Sequence, residues 1–119
     1  MKKLFFLLSL IFLVSCKNQE SKPDKISNQT PIELGKEIFE GKGNCVACHL
    51  VDQKVIGPSI QEMAKIYKVK KGNIIDFLIH DAAPIVDPTQ YEVMKTYFTI
   101  TKAMSEQELK AIESYIYSN

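Results

Sequence analysis

From residue 30 onward, apolar side chains recur with the period of a helix, and no stretch alternates for long with the period of a strand. Thr30-Pro31-Ile32-Glu33 reads as a capping box with proline at the first helical position. Leu34, Gly35, Ile38 and Phe39 follow on one face, and the pattern stops near Gly41-Lys42-Gly43, which predicts a first helix. Ile60, Met63, Ala64 and Tyr67 stand at i, i+3, i+4 and i+7 and predict a second, short helix, broken at Gly72-Asn73. A third runs from Ile74 to Ile79, anchored by Ile74, Phe77 and Leu78. Residues 81–93 read as loop, with Pro84 and Asp87-Pro88 as breakers. The final helix carries the fullest signature. Ser105 and Glu108 form a capping box, Met104 and Leu109 occupy the staple positions, and Leu109, Ile112 and Ile116 form a stripe with Tyr115 beside it. The expected class is all-α, with three to five helices.

The N-terminal quarter has a different texture. Lys2 and Lys3 precede a run, residues 4–14, that is apolar apart from Ser9. The run is too short to span a bilayer and has the layout of a secretory signal. Leu13-Val14-Ser15-Cys16 resembles the lipobox of bacterial lipoproteins, which implies a signal peptide over residues 1–15 and lipid on Cys16. The following tract is polar, with Ile26 its one large aliphatic residue, so residues 16–30 are expected to form a flexible, lipid-anchored linker. The folded domain is then residues 31–119. A chain of that size buries only about 60–65 % of its unfolded surface, and a covalent cofactor would supply stability it lacks. Charge narrows little: 15 basic residues, all lysine, face 14 acidic ones, a pattern that points to no nucleic acid.

The chemistry sits in Cys45-Val46-Ala47-Cys48-His49. Cysteines three apart share one side of a helical turn. There two thiols can add across the two vinyl groups of a haem, with the histidine next to them in reach of the iron. C-x-x-C-H is the signature of c-type haem attachment, and it agrees with an exported chain. A disulfide oxidoreductase would place C-x-x-C in a βαβ unit, and no strands are predicted. A structural zinc site needs four ligands. The cluster offers three, with His80 the one further histidine.

Gly35 and Phe39, the CVACH cluster, Gly57-Pro58 and the capped terminal helix ending Tyr115-Ile116 together resemble a class I cytochrome c, over about residues 32–117. The resemblance implies one haem c, held by Cys45 and Cys48, with His49 the proximal iron ligand. It implies first and last helices crossing at a small residue, Gly35, near Tyr115. It assigns the carbonyl that orients His49 to Pro58, and it places the sixth ligand on a methionine in the loop before the last helix. Met94 fills that place best. Met104 fits the staple, Met63 reads as core filler, and His80 as a helix-end or surface residue. Lys95-Thr96 follow Met94 where the family often has proline, and Phe98, Thr99 and Ile100 are expected either to cover the haem edge or to form a short extra element.

The functional expectation is a membrane-anchored, exported one-electron carrier with His/Met ligation, serving redox partner proteins and facing the periplasm or cell exterior. The competing readings are an electron-transfer subunit of a periplasmic dehydrogenase, a small haem enzyme or gas sensor with an open sixth position, and a thiol oxidoreductase. Residues 65–71 are locally basic, either as a solvated helix face or as a docking patch for an acidic partner.

Overall fold

The computed structural model describes residues 28–119. The expected signal peptide (residues 1–15), Cys16 and most of the 16–30 linker lie outside the described residues. Six α-helices run in the order α1 (Pro31–Glu40), α2 (Ile60–Lys70), α3 (Ile74–His80), α4 (Tyr91–Lys95), α5 (Phe98–Thr101) and α6 (Glu106–Tyr117). Single 3₁₀ turns occupy Cys45–Ala47 and Pro88–Gln90. Among the described residues the only β pairing is an isolated bridge between His49 and Lys54.

Local chemistry sets the helix ends. Thr30 and Ser105 each close a full capping box, with Glu33 and Glu108, on α1 and α6. Ser59 caps α2 and Asn73 caps α3 through side-chain oxygens that accept orphan N–H groups. Lys71 and Asp81 end α2 and α3 in the left-handed conformation. One expectation needs correction. Residues 81–93 are not loop throughout, because Asp87 accepts from the Thr89 N–H and starts a 3₁₀ turn with Pro88 at its first position. That turn runs directly into α4, so Met94 stands on a helix. Phe98 belongs to the short extra element, α5, where it is buried, while Ile100 is exposed. These two short helices carry the total above the expected range.

The frame is the crossing of α1 and α6. Gly35 lies against the backbone of Ala111 and against Tyr115, so closely that a β-carbon built on it would stand 1.9 Å from the Ala111 carbonyl oxygen. Phe39 meets Tyr115 edge to face at 5.4 Å. Ile38, Leu109, Ile112 and Ile116 bury the stripes of both helices, joined by Ile60, Ala64 and Tyr67 of α2 and by Ile74 and Leu78 of α3. Each large side chain buried in this way contributes about 1.5–3 kcal/mol. Phe77, Tyr91 and Phe98 form a second aromatic group that fixes α3, α4 and α5 together, Phe77 and Phe98 packing edge to face at 5.3 Å. The buried Thr101 hydroxyl donates to the Leu78 carbonyl at 2.6 Å and ties α5 to the end of α3.

Candidate haem pocket

The cluster at residues 45–49 is shaped by its own backbone. Asn44 adopts the left-handed conformation, which asparagine tolerates better than most residues. Residues 45–47 then make one 3₁₀ turn, closed by Cys48 N–H to Cys45 carbonyl at 3.1 Å and continued by His49 N–H to the same oxygen at 3.0 Å. A 3₁₀ turn has three residues, so Cys45 and Cys48 are eclipsed on one side. Both are half-buried, and Val46 and Ala47 between them are exposed.

His49 is buried, and its Nδ1 stands 2.7 Å from the Pro58 carbonyl oxygen. A carbonyl only accepts, so Nδ1 carries the proton and Nε2 keeps its lone pair. Burial pushes the ring below the ordinary imidazole pKa, against an opposing pull from the Pro58 bond, which favours the neutral form a metal ligand needs. The segment that supplies Pro58 is anchored at both ends. Gly57 N–H donates to the Cys48 carbonyl at 3.0 Å, and Ile60 N–H to the Leu50 carbonyl at 2.9 Å. Gly57 is pressed on the imidazole; a β-carbon there would lie 2.4 Å from His49 Cε1.

These groups form one wall of an apolar pocket with about 1080 Å³ of empty space, part of it open to solvent. Phe39, Ile112 and Ile116 form its floor, Met63 and Tyr67 come from α2, and Ile74, Phe77 and Leu78 from α3. Pro84, Ile85, Val86 and Asp87 close a further side, and Tyr91, Met94 and Tyr97 complete the wall contributed by α4 and its following turn. Tyr67 is buried, and its hydroxyl is pushed up to about 12 by that burial, so it stays neutral. Of the residues singled out in the sequence, Cys45, Cys48, His49, Pro58 and Met94 share the pocket. Met63 lines it as well, rather than serving only as core filler. Met104 packs on the core and lies beside Gly43, and His80 is exposed and paired with Asp76 at 3.2 Å; neither lines the pocket.

Two features of the pocket were not read from the sequence. Residues 84–86 form a wall, which the apolar run Ala82-Ala83-Pro84-Ile85-Val86 would have suggested. Lys54 pairs with Asp87 at 2.7 Å, joining the segment after His49 to the segment before α4, and no sequence signal announces a pair 33 residues apart.

The arrangement suits covalent haem better than its rivals. Burial pushes the Cys45 thiol up to about 11, whereas a disulfide-exchanging cysteine needs its thiolate near neutral pH. Among the described residues no three His, Cys, Asp or Glu groups converge as they would around a metal ion, which disfavours zinc bound directly by the cluster. The pocket offers two thiols on one face, an oriented imidazole beside them and apolar walls, the donor set and the low polarity that a covalently attached porphyrin requires.

Comparison with known proteins agrees. The family model described as "Cytochrome c" matches residues 32–119. A cytochrome c-551 from Azotobacter vinelandii is 40 % identical over 40 residues, 34 % of this chain and 48 % of that protein. A cytochrome c-551 from Pseudomonas denitrificans is 48 % identical over 33 residues, 28 % of this chain and 39 % of that protein. The chain thus aligns with less than half the length of these relatives. The family match, by contrast, takes in every helix from α1 to α6, and the chain belongs to the cytochrome c family, with one covalent c-type haem as its cofactor and Cys45, Cys48 and His49 as its attachment motif.

Proposed function

We propose that the protein is a one-electron carrier, not an enzyme, with its haem iron ligated by His49 and Met94 and its N-terminus held at a membrane surface by lipid on Cys16. The observation that carries the reading is the meeting of His49, fixed through Pro58, and Met94 in one apolar pocket with both thiols. Bound there, the haem supplies a reversible one-electron iron couple. Cys45 and Cys48 would hold it by two thioethers, each thiol's sulfur and hydrogen adding across a vinyl double bond. Nδ1–H of His49, donated to Pro58, fixes the ring plane and leaves Nε2 for the metal. The apolar walls exclude water and limit reorganisation as charge changes.

Met63 and Met94 both line the pocket, and they come from different stretches of the chain. Met63 lies in the first turn of α2, directly after the Pro58-Ser59 segment that holds His49. Met94 arrives on α4, from a stretch of chain separate from the one that holds His49, which supports it as the residue that would supply the second iron ligand. A thioether in that place raises the reduction potential and fills the sixth position, which suits transfer of electrons over binding of small molecules.

The test is the absorption spectrum of protein made in cells with haem-attachment machinery. Acid–solvent extraction should leave the pigment on the chain. The weak red-end band of an iron–thioether bond should be present in the wild type and in Met63→Leu, and absent in Met94→Ala. A band that survives Met94→Ala and vanishes in Met63→Leu refutes the assignment.

A further inference from the structure

We propose that residues 81–87, between α3 and the turn that leads to Met94, form a strap over the haem pocket, and that its lifting, restrained by Lys54, Lys70 and Lys102, admits a small neutral ligand to the sixth position of the iron. The inference rests on the haem-protein reading and adds a binding activity and the residues that govern it.

The strap stands out by how little its own backbone holds it. Residues 82–86 belong to no helix. Among the described residues, no backbone–backbone hydrogen bond begins or ends in them. Ala83-Pro84 keeps the chain extended and removes one donor. A segment with so few bonds is drawn from the end of a structure that opens most easily. Lysines from three other places hold it instead. At its start, Lys102 Nζ, from the cap of α5, donates to the Asp81 carboxylate at 3.0 Å. In the middle, Lys70 Nζ, from the last residue of α2, donates to the Ile85 carbonyl at 2.9 Å. At its end, Lys54 Nζ donates to the Asp87 carboxylate at 2.7 Å. Of the three, the Lys70 bond alone grips the main chain.

The inner side of the strap is apolar. Pro84, Ile85 and Val86 are half-buried and line the pocket. Ile85 has a seat at the end of α2: a β-carbon on Gly72 would stand 2.5 Å from Ile85 Cδ1 and 2.8 Å from Tyr67 Cδ1. No glycine among the described residues has a positive φ, so what Gly72 supplies is space for these two side chains rather than backbone freedom. Because the inner side is apolar, the ligand class is a small neutral donor molecule.

The chain beyond each end is fixed, which confines the motion to the strap. Asp81 ends α3 in the left-handed conformation (φ 54°), and Asp87 caps the 3₁₀ turn that runs into α4. The Thr101 hydroxyl ties α5 to Leu78, and Phe77, Tyr91 and Phe98 pack α3, α4 and α5 together. The strap is continuous with the wall that carries Met94, whereas His49 is held from another segment through Pro58. Lifting therefore loosens the chain leading to Met94 and leaves the Pro58–His49 bond in place.

The probe is imidazole at about pH 8, where it is mostly uncharged, so removing a lysine does not alter its attraction to the protein. It is mixed with the oxidised, haem-loaded full chain. Its binding rate should level off at high concentration, the plateau being the rate of opening. Lys70→Met keeps an apolar stem and removes the donor, and the plateau should rise about threefold or more, as the loss of one net hydrogen bond implies. Gly72→Ala fills the Ile85 seat and should raise it too. Lys68→Met removes an equal charge from the same helix, but Lys68 Nζ donates to the Tyr117 carbonyl, so the plateau should change less than twofold. Raising ionic strength from roughly 10 to 500 mM should raise the wild-type plateau by screening the Lys54 and Lys102 pairs. Elastase, which cuts after small aliphatic residues, reads the strap without the iron: cleavage after Ala82 or Val86 should rise in Lys70→Met alongside the plateau. A plateau unmoved in both Lys70→Met and Gly72→Ala, or moved equally in Lys68→Met, overturns the strap. So does cleavage that rises while the plateau stays put, because the segment then lifts without admitting ligand. A wild type that lacks the iron–thioether band yet shows both responses sinks the Met94 ligation and leaves the strap standing.

Discussion

Gly35→Ala separates two physical effects that push stability in opposite directions. Alanine is the better helix former, and in an open helix interior the change would stabilise by about 1 kcal/mol. Here the added methyl would stand 1.9 Å from the Ala111 carbonyl oxygen, 2.6 Å from its carbon and 2.8 Å from Tyr115 Cβ. Two of those atoms are α6 backbone, so no side-chain rotation relieves the contact. Reaching 3.0 Å, the least that real β-carbons show, requires α1 and α6 to part by just over 1 Å at their crossing. That loosens Phe39 on Tyr115 and the Ile38–Ile112 layer. Overpacking of this kind costs about 1–3 kcal/mol, and the upper end applies where backbone must move. Less the propensity gain, the net loss is about 2 kcal/mol, or a drop of roughly 8–16 °C in melting temperature for a domain of this size. Thermal unfolding of the haem-loaded protein, followed by circular dichroism, measures it. A melting temperature equal to or above the wild type would refute the crossing argument, because propensity alone predicts that result.

Gly57→Ala would force the His49 ring away from its 2.7 Å bond to Pro58, since the new methyl would meet Cε1 at 2.4 Å. Loss of such orienting bonds costs 10–100-fold at metal sites, so covalently coloured protein on a denaturing gel should fall about tenfold. Thr101→Val removes the buried 2.6 Å bond to the Leu78 carbonyl with little change of shape and should cost about 1–3 kcal/mol, read as a lower denaturant midpoint at unchanged slope. Asp87 is held down to about 2 from an ordinary 3.8, first by its hydrogen bond from Lys54 and then by Thr89. A carboxyl depressed in the folded state adds stability above its unfolded pKa and loses it as pH falls through the folded one. The melting-temperature gap between wild type and Asp87→Asn should therefore be full above about pH 4 and close towards pH 2; a gap independent of pH would show that the pair does not act as a charge pair.

The order of the helices, the caps at Thr30 and Ser105, the α6 stripe and the C-x-x-C-H turn were legible in the chain because each depends on neighbours within four or five residues. The periodic signal was strong where one face was plainly apolar, as in residues 34–39 and 109–116. It failed over residues 88–101. Asp87-Pro88 serves equally as a breaker and as a cap with proline at the first turn, and the two helices that follow are held by Phe77, Tyr91 and Phe98 packing across elements rather than by their own pattern. The same limit applied to the site. Spacing singled out His49 and favoured Met94, but the packed chain was needed to bring Met63 to the same pocket and to leave Met104 and His80 off it. Sequence alone determined the local turns and the attachment chemistry, because those are written in short-range spacing. The tertiary structure decided which distant groups share the pocket and that Lys54 meets Asp87 across 33 residues, because those depend on how buried faces of separate segments come to rest on one another.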